Sequence, residues 1–204
     1  MLKKVSGYLG NFYHNILSAL SGNKKHANIC FLFGLSATGK THFARYIAAR
    51  NDWIHIEIDQ AYGKIKGLEL YGFQDEWNDF ITTGDLRSLI KKIYAKMVTE
   101  QKSGAILTFP SGRFLDLKQI ENLNKSATVL YFTGDPELCI NSFLEREKKI
   151  GRNLPVSYWH DHNTQLLKYM SSHGMDKWTI DVFNENGKRK TENELLTLTN
   201  LAGI

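Results

Sequence analysis

Proline is scarce in this chain of 204 residues: three occur, at positions 110, 136 and 155, which excludes collagen-like and proline-rich linker proteins. Cysteine is scarcer still. Cys30 and Cys139 each sit in an apolar run and not in a paired framework, so the sequence predicts buried free thiols in a reducing compartment, with a single disulfide as the alternative. No apolar stretch approaches the roughly 18 residues that a membrane span requires. Lys3 and Lys4 precede a moderately apolar segment, but Asn11, His14 and Asn15 interrupt it, against a cleaved signal peptide. The expectation is a cytoplasmic protein. Long blocks of like charge are also missing, so the net charge of +5 favours an anionic ligand without announcing nucleic acid.

What is present is ordinary globular composition, 42% hydrophobic and 23% charged, in about one domain's length of chain. Tyr8, Leu9, Phe12, Tyr13, Ile16, Leu17 and Leu20 recur at helical spacing, which predicts an amphipathic helical extension over residues 1–25. It packs on the main body, forms a dimer contact, or lies on a membrane surface. Ser21 to Lys25 is a polar turn, and the main domain, 26–204, begins after it. From there strands and helices alternate. Strands are predicted at 28–33, 53–58, 105–109, 128–132 and 178–182. Helices are predicted through Arg50, over 74–102 with a break at Thr82–Gly84 and Asp85 as N-cap, and over 136–150, 157–172 and 191–201. Strands separated by helices imply an α/β protein with a central, mainly five-stranded parallel sheet flanked by helices.

The strongest signal is GLSATGKT, comprising Gly34, Leu35, Ser36, Ala37, Thr38, Gly39, Lys40 and Thr41, which satisfies G-x-x-x-x-G-K-[ST] at every fixed position. An apolar strand enters it and a helical pattern leaves it, as a phosphate-binding loop requires. Its glycines let the backbone curl so that consecutive N–H groups face phosphate oxygens, and the helix N-terminus adds partial positive charge. Lys40 reaches the β- and γ-phosphates, and Thr41 offers its hydroxyl to Mg²⁺. The second strand reads IHIEID, which puts Glu57 and Asp59 on one face. Such a pair beside a phosphate loop can hold Mg²⁺ and orient an acceptor hydroxyl, although acids are also common where a strand meets solvent. A guanine-reading N/T-K-x-D segment is absent, and the third strand ends LTFPSG without a carboxylate. Switch GTPases and motor ATPases therefore fit less well than kinases.

With these marks the chain resembles the small P-loop kinases of the shikimate kinase, gluconate kinase and nucleoside-monophosphate kinase group, from about His26 onward. The marks are the loop Gly34–Thr41, Glu57-x-Asp59, Arg146 and Arg152 in FLEREKKIGRNLP, the segment TVLYFTGDPE, and the closing TIDVFNENGKRKTENELL. The resemblance implies the three-layer P-loop NTPase fold and an ATP-dependent, Mg²⁺-dependent transfer of the γ-phosphoryl group to a small hydroxylated acceptor. It places Glu57 and Thr41 at the metal, Asp59 at the acceptor as general base, and Arg146 and Arg152 in a lid over about 144–156. It also places Asn184 in the loop around the adenine. Lys40 and the lid cations would neutralise charge on the transferring group.

The acceptor pocket is expected over 59–80 and 109–115, where Gly112 lets a ligand approach backbone and Arg113 grips an anionic substrate or faces solvent. Tyr62, Tyr71, Phe73, Trp77 and Phe80 stack on a ligand or bury a helix. FPSGR differs from the triple glycine of shikimate kinases and only partly matches the Gly-Phe-Pro-Arg of nucleoside-monophosphate kinases, so no acceptor is named. Trp159-His160-Asp161-His162 clusters metal-type ligands, but neighbours on a helix point apart, which favours a cap or surface role. The alternatives to a small-molecule kinase are a nucleic-acid end kinase and a regulatory NTP-binding module without transfer.

Overall fold

The computed structural model describes residues 26–58, 71–109, 115–149, 151, 156–199 and 201. The extension 1–25, Asp59, Gly112, Arg113 and Arg152 lie outside the described residues, as does the side chain of Arg146. In chain order the elements are β1 (His26–Gly34), α1 (Lys40–Arg50), β2 (Trp53–Glu57), α2 (Gln74–Thr83), α3 (Arg87–Thr99), β3 (Gly104–Thr108), α4 (Leu117–Ser126), β4 (Ala127–Thr133), α5 (Pro136–Lys149), α6 (Val156–Ser172), β5 (Thr179–Asp181) and α7 (Glu192–Thr199). The five strands form one parallel sheet in the order β2-β3-β1-β4-β5.

Burial explains that order. All of Ile29–Phe33 is at 0% exposure, and every residue of β3 is buried. A strand without a polar face is stable only where helices cover both sides of the sheet, so the two most apolar strands take the interior. The outer strands are less fully covered: β2 is partly exposed at Ile54 and His55, and β5 along its length. Because neighbours run parallel, their C-terminal ends share one edge. Glu57 pairs with Thr108, Thr108 with Leu32, and Gly34 with Phe132.

The helix break near Thr82–Gly84 falls where expected. α2 stops at Gly84, whose N–H returns to the Phe80 carbonyl at 2.8 Å. Asp85 does not sit at the N-cap position; its carboxylate instead accepts the Arg87 N–H at 2.9 Å and so starts α3 one residue later. Two elements differ more from expectation. Trp178 belongs to a 3₁₀ turn, Met175–Trp178, because Met175 and Trp178 both turn into the core at i, i+3 spacing, and β5 shrinks to three residues. Helix α4 was not anticipated. It opens with a capping box in which Asp116 accepts the Gln119 N–H at 2.7 Å and Gln119 accepts the Asp116 N–H at 2.9 Å.

Phe73, Trp77 and Phe80 settle in the core, at 5%, 7% and 0% exposure. The Trp77 ring lies 4.2 Å from that of Phe109. Cys30 and Cys139 are buried thiols, not joined in a disulfide, and burial pushes the Cys139 thiol up to about 11. Among the described residues no helix is long and apolar enough to cross a membrane.

Candidate phosphate-binding site

The loop between β1 and α1 is a tight backbone curl. Gly34 has φ 131°, Ala37 63° and Gly39 78°, the positive-φ backbone from which anion-binding loops are built; the Leu35 and Ser36 N–H groups turn to the Phe132 carbonyl and to Asn163 Oδ1. At Gly34 no other residue fits: a β-carbon would fall on the Phe132 carbonyl, the same oxygen that accepts the Leu35 N–H at 2.9 Å. Helix α1 begins at Lys40 with no side-chain cap on Gly39 and no acidic residue in its first turn. Its unsatisfied N–H groups and partial positive charge therefore face the loop.

Lys40 is 9% exposed. Its Nζ donates to the Gly34 carbonyl at 3.0 Å and to the Leu35 carbonyl at 2.6 Å, so the ammonium folds across the loop that precedes it. Thr38 donates its hydroxyl to the same Leu35 carbonyl at 2.8 Å. Next along α1, the Thr41 hydroxyl donates to Glu57 Oε2 at 2.7 Å. Glu57 is 4% exposed at the end of β2. The two residues assigned to the metal by sequence thus meet, brought together by the packing of α1 against β2. Hard oxygen donors of this kind suit Mg²⁺, which takes one or two protein ligands and completes its shell with phosphate and water. Among the described residues no group of three or more His, Cys, Asp or Glu able to hold a metal occurs.

Three residues that the motif reading passed over join the site. His55 lies two residues before Glu57 on the same strand; its Nε2 is 2.8 Å from Thr108 Oγ1 and 3.8 Å from Glu57 Oε2. Burial, helped by the charge of Arg45, lowers its pKa to about 4, so at pH 7 the imidazole is a hydrogen-bonding group and not a counter-charge. The period-two run His55, Glu57, Asp59 was the available signal. Arg189 donates to the Ala37 carbonyl at 2.6 Å and spans the space over Gly39, where a β-carbon would strike its guanidinium. Asn163 on α6 accepts the Ser36 N–H at 3.1 Å. Neither carries a local mark, since each reaches the loop from more than 120 residues away, through tertiary packing alone.

Asn184 caps its own loop. Its side-chain oxygen accepts the N–H groups of Asn186 and Lys188, both at 3.0 Å, and its backbone N–H donates to the Lys188 carbonyl at 2.8 Å. Phe183 and Arg189 close the loop with an antiparallel bridge, and this is how Arg189 comes to face the phosphate loop. The histidine cluster on α6 is spread around the helix as its spacing requires: His160 contacts Glu137 at 3.2 Å, while the Trp159 ring packs on Phe143 at 4.9 Å.

No family model and no curated protein matches the chain. Solved structures do. A shikimate kinase from Bacteroides thetaiotaomicron is similar at 15% identity over 84% of this chain and 98% of that one, with a TM-score of 0.46. A gluconokinase from Sinorhizobium meliloti 1021 is similar at 14% identity over 88% and 94%, with a TM-score of 0.49. A shikimate kinase from Acinetobacter baumannii, in complex with shikimate, is similar at 18% identity over 88% and 97%, also with a TM-score of 0.49. The structural neighbours are small P-loop kinases. At this identity nothing about substrate or individual residues carries over from them. The three-layer P-loop architecture of this chain rests on its own strand order and on its own glycine-bounded loop.

Proposed function

We propose that this chain is an ATP-dependent phosphotransferase that moves the γ-phosphoryl group to a hydroxyl of a small molecule. The observation that carries the reading is the adjacency of Lys40, folded over the glycine-bounded loop, to a Thr41–Glu57 oxygen pair 2.7 Å apart. A polyanion cradle and a donor set for a hard divalent cation stand side by side at the strand ends, where α/β proteins bind ligands.

In this reading the N–H groups of residues 37–41 hold the phosphates and Lys40 moves from the loop carbonyls to the β- and γ-phosphates. Mg²⁺ supplies charge neutralisation at the phosphates, and Thr41 and Glu57 hold it. Asp59, two residues beyond Glu57, orients or deprotonates the acceptor hydroxyl. Arg146 and Arg152 neutralise the transferring group, Gly112 and Arg113 receive the acceptor, and the backbone around Asn184 meets the adenine. His55 holds the Thr108 hydroxyl in place beside the Glu57 carboxylate.

The test is ATP consumption with Mg²⁺ across a panel of sugars, nucleosides, antibiotics and short oligonucleotides, with wild type, Lys40→Ala and Asp59→Asn. The expected result is acceptor-dependent turnover that Lys40→Ala and Asp59→Asn each lower by about 100-fold or more. Turnover unaffected by either substitution would overturn the reading. Transfer confined to oligonucleotide ends would replace the small-molecule acceptor.

A further inference from the structure

The peptide unit between Leu35 and Ser36 is gripped at both ends. Its carbonyl accepts the Thr38 hydroxyl and the Lys40 ammonium, at 2.8 and 2.6 Å. Its N–H is accepted by Asn163 Oδ1 at 3.1 Å. Asn163 is 1% exposed, and its other amide atom, Nδ2, is buried with no hydrogen-bond partner among the described residues. The orientation of the amide follows from chemistry. Ser36 N can only donate, so the atom facing it is the oxygen, and Nδ2 is a donor with no acceptor among the described residues. A buried donor without a partner is costly, and native proteins leave few of them.

We propose that Asn163 is a contact of the terminal phosphoryl group: Nδ2 donates to one of its oxygens while Oδ1 keeps the Ser36 N–H in place. The inference rests on the phosphotransferase reading and extends it to a residue on α6 that carries no sequence motif. The location argues for the terminal phosphate. The loop lysine serves the β- and γ-phosphates, and its Nζ bonds the carbonyl of the one peptide whose N–H, on the opposite edge, meets Asn163. One rigid planar amide fixes both atoms, so Nδ2 stays beside that end of the loop. A partner for Nδ2 has to be an acceptor, and phosphoryl oxygens are the strongest acceptors that the proposed ligand brings. Lys40 exchanges the Leu35 carbonyl for phosphate, which loosens one end of the peptide, and Asn163 secures the other.

Because ADP lacks the terminal group, the two nucleotides separate this role from mere scaffolding. The experiment measures the Kd of ADP and of a β,γ-imido ATP analogue, with Mg²⁺ present, for the full chain and for Asn163→Asp. That change preserves the acceptor for Ser36 and replaces the donor with a second acceptor. The expected result is that the analogue weakens by about tenfold or more while ADP stays within about threefold. Equal weakening of both, or no change in either, overturns the proposal. Should Asn163→Asp fail to melt cooperatively, Asn163→Ala decides by the same ratio: a rise in analogue Kd relative to ADP supports the contact, and an unchanged ratio overturns it. If wild type binds neither nucleotide, the phosphotransferase reading falls and this inference with it; if wild type binds both and the ratio is insensitive to residue 163, this inference alone falls.

Discussion

Two loops meet over Gly39, and they are held in opposite ways. The loop 184–190 is nearly self-sufficient: Asn184 accepts two of its backbone N–H groups, Phe183 bridges Arg189, and Lys190 Nζ donates to the carbonyls of Asp181 and Phe183. The phosphate loop owes part of its shape to distant residues. Phe132 on β4 accepts from Leu35, Asn163 on α6 accepts from Ser36, and Arg189 donates to Ala37. A loop held from within keeps its form whatever its neighbours do. One held from without can respond to them, because each tether connects it to a different element of the fold.

The largest effect is expected where the phosphate loop meets the sheet. Gly34→Ala combines an unfavourable φ with a β-carbon on the Phe132 carbonyl, and should cost roughly 3 kcal/mol or more in denaturant unfolding. Loss of under about 1 kcal/mol would mean that this loop yields as readily as an ordinary surface turn. Next comes the internal brace of the other loop. Asn184→Ala removes the acceptor of two N–H groups and should cost about 1–2 kcal/mol, with faster amide exchange at Asn186 and Lys188. Exchange unchanged at those two amides would remove the contrast with the phosphate loop. The smallest effect is the coupling between the two loops. Gly39→Ala alone meets both left-handed strain and the Arg189 guanidinium. In an Arg189→Ala background only the strain remains, so a double-mutant cycle should give a coupling of about 0.5–1 kcal/mol. Strict additivity would show that Arg189 moves aside without consequence.

The same contrast explains what could be read from residues alone. The phosphate loop was legible because its chemistry demands glycine, lysine and threonine at fixed offsets, and β1 and β3 were legible because strands covered on both faces are continuously apolar. Thr41 and Glu57 were each singled out by type and position, and their hydrogen bond follows once α1 packs against β2. Asn163 and Arg189 were not legible, since an asparagine on a helix and an arginine in a loop acquire meaning only from what packs against them. Helix α4 is a different case. Its Asp116-x-x-Gln119 box is a local signal, but Leu117, Ile120 and Leu123 provide only a short apolar stripe between polar residues. Trp178 was drawn into β5 because an aromatic next to Thr179–Val182 extends an apolar run, whereas its i, i+3 relation to Met175 governs.

The aromatic stack beneath the strand ends gives the protein an optical reporter of its own. Trp77 lies against Phe33, immediately before Gly34, and against Phe109, immediately after β3. Trp53 stands at the opposite end of the sheet, where β2 begins, and Trp178 precedes β5. A shift at the root of either strand-end loop therefore alters the surroundings of Trp77 without touching those two, while the fourth indole, Trp159 on α6, packs on Phe143. Intrinsic emission can follow ligand arrival there with no dye attached.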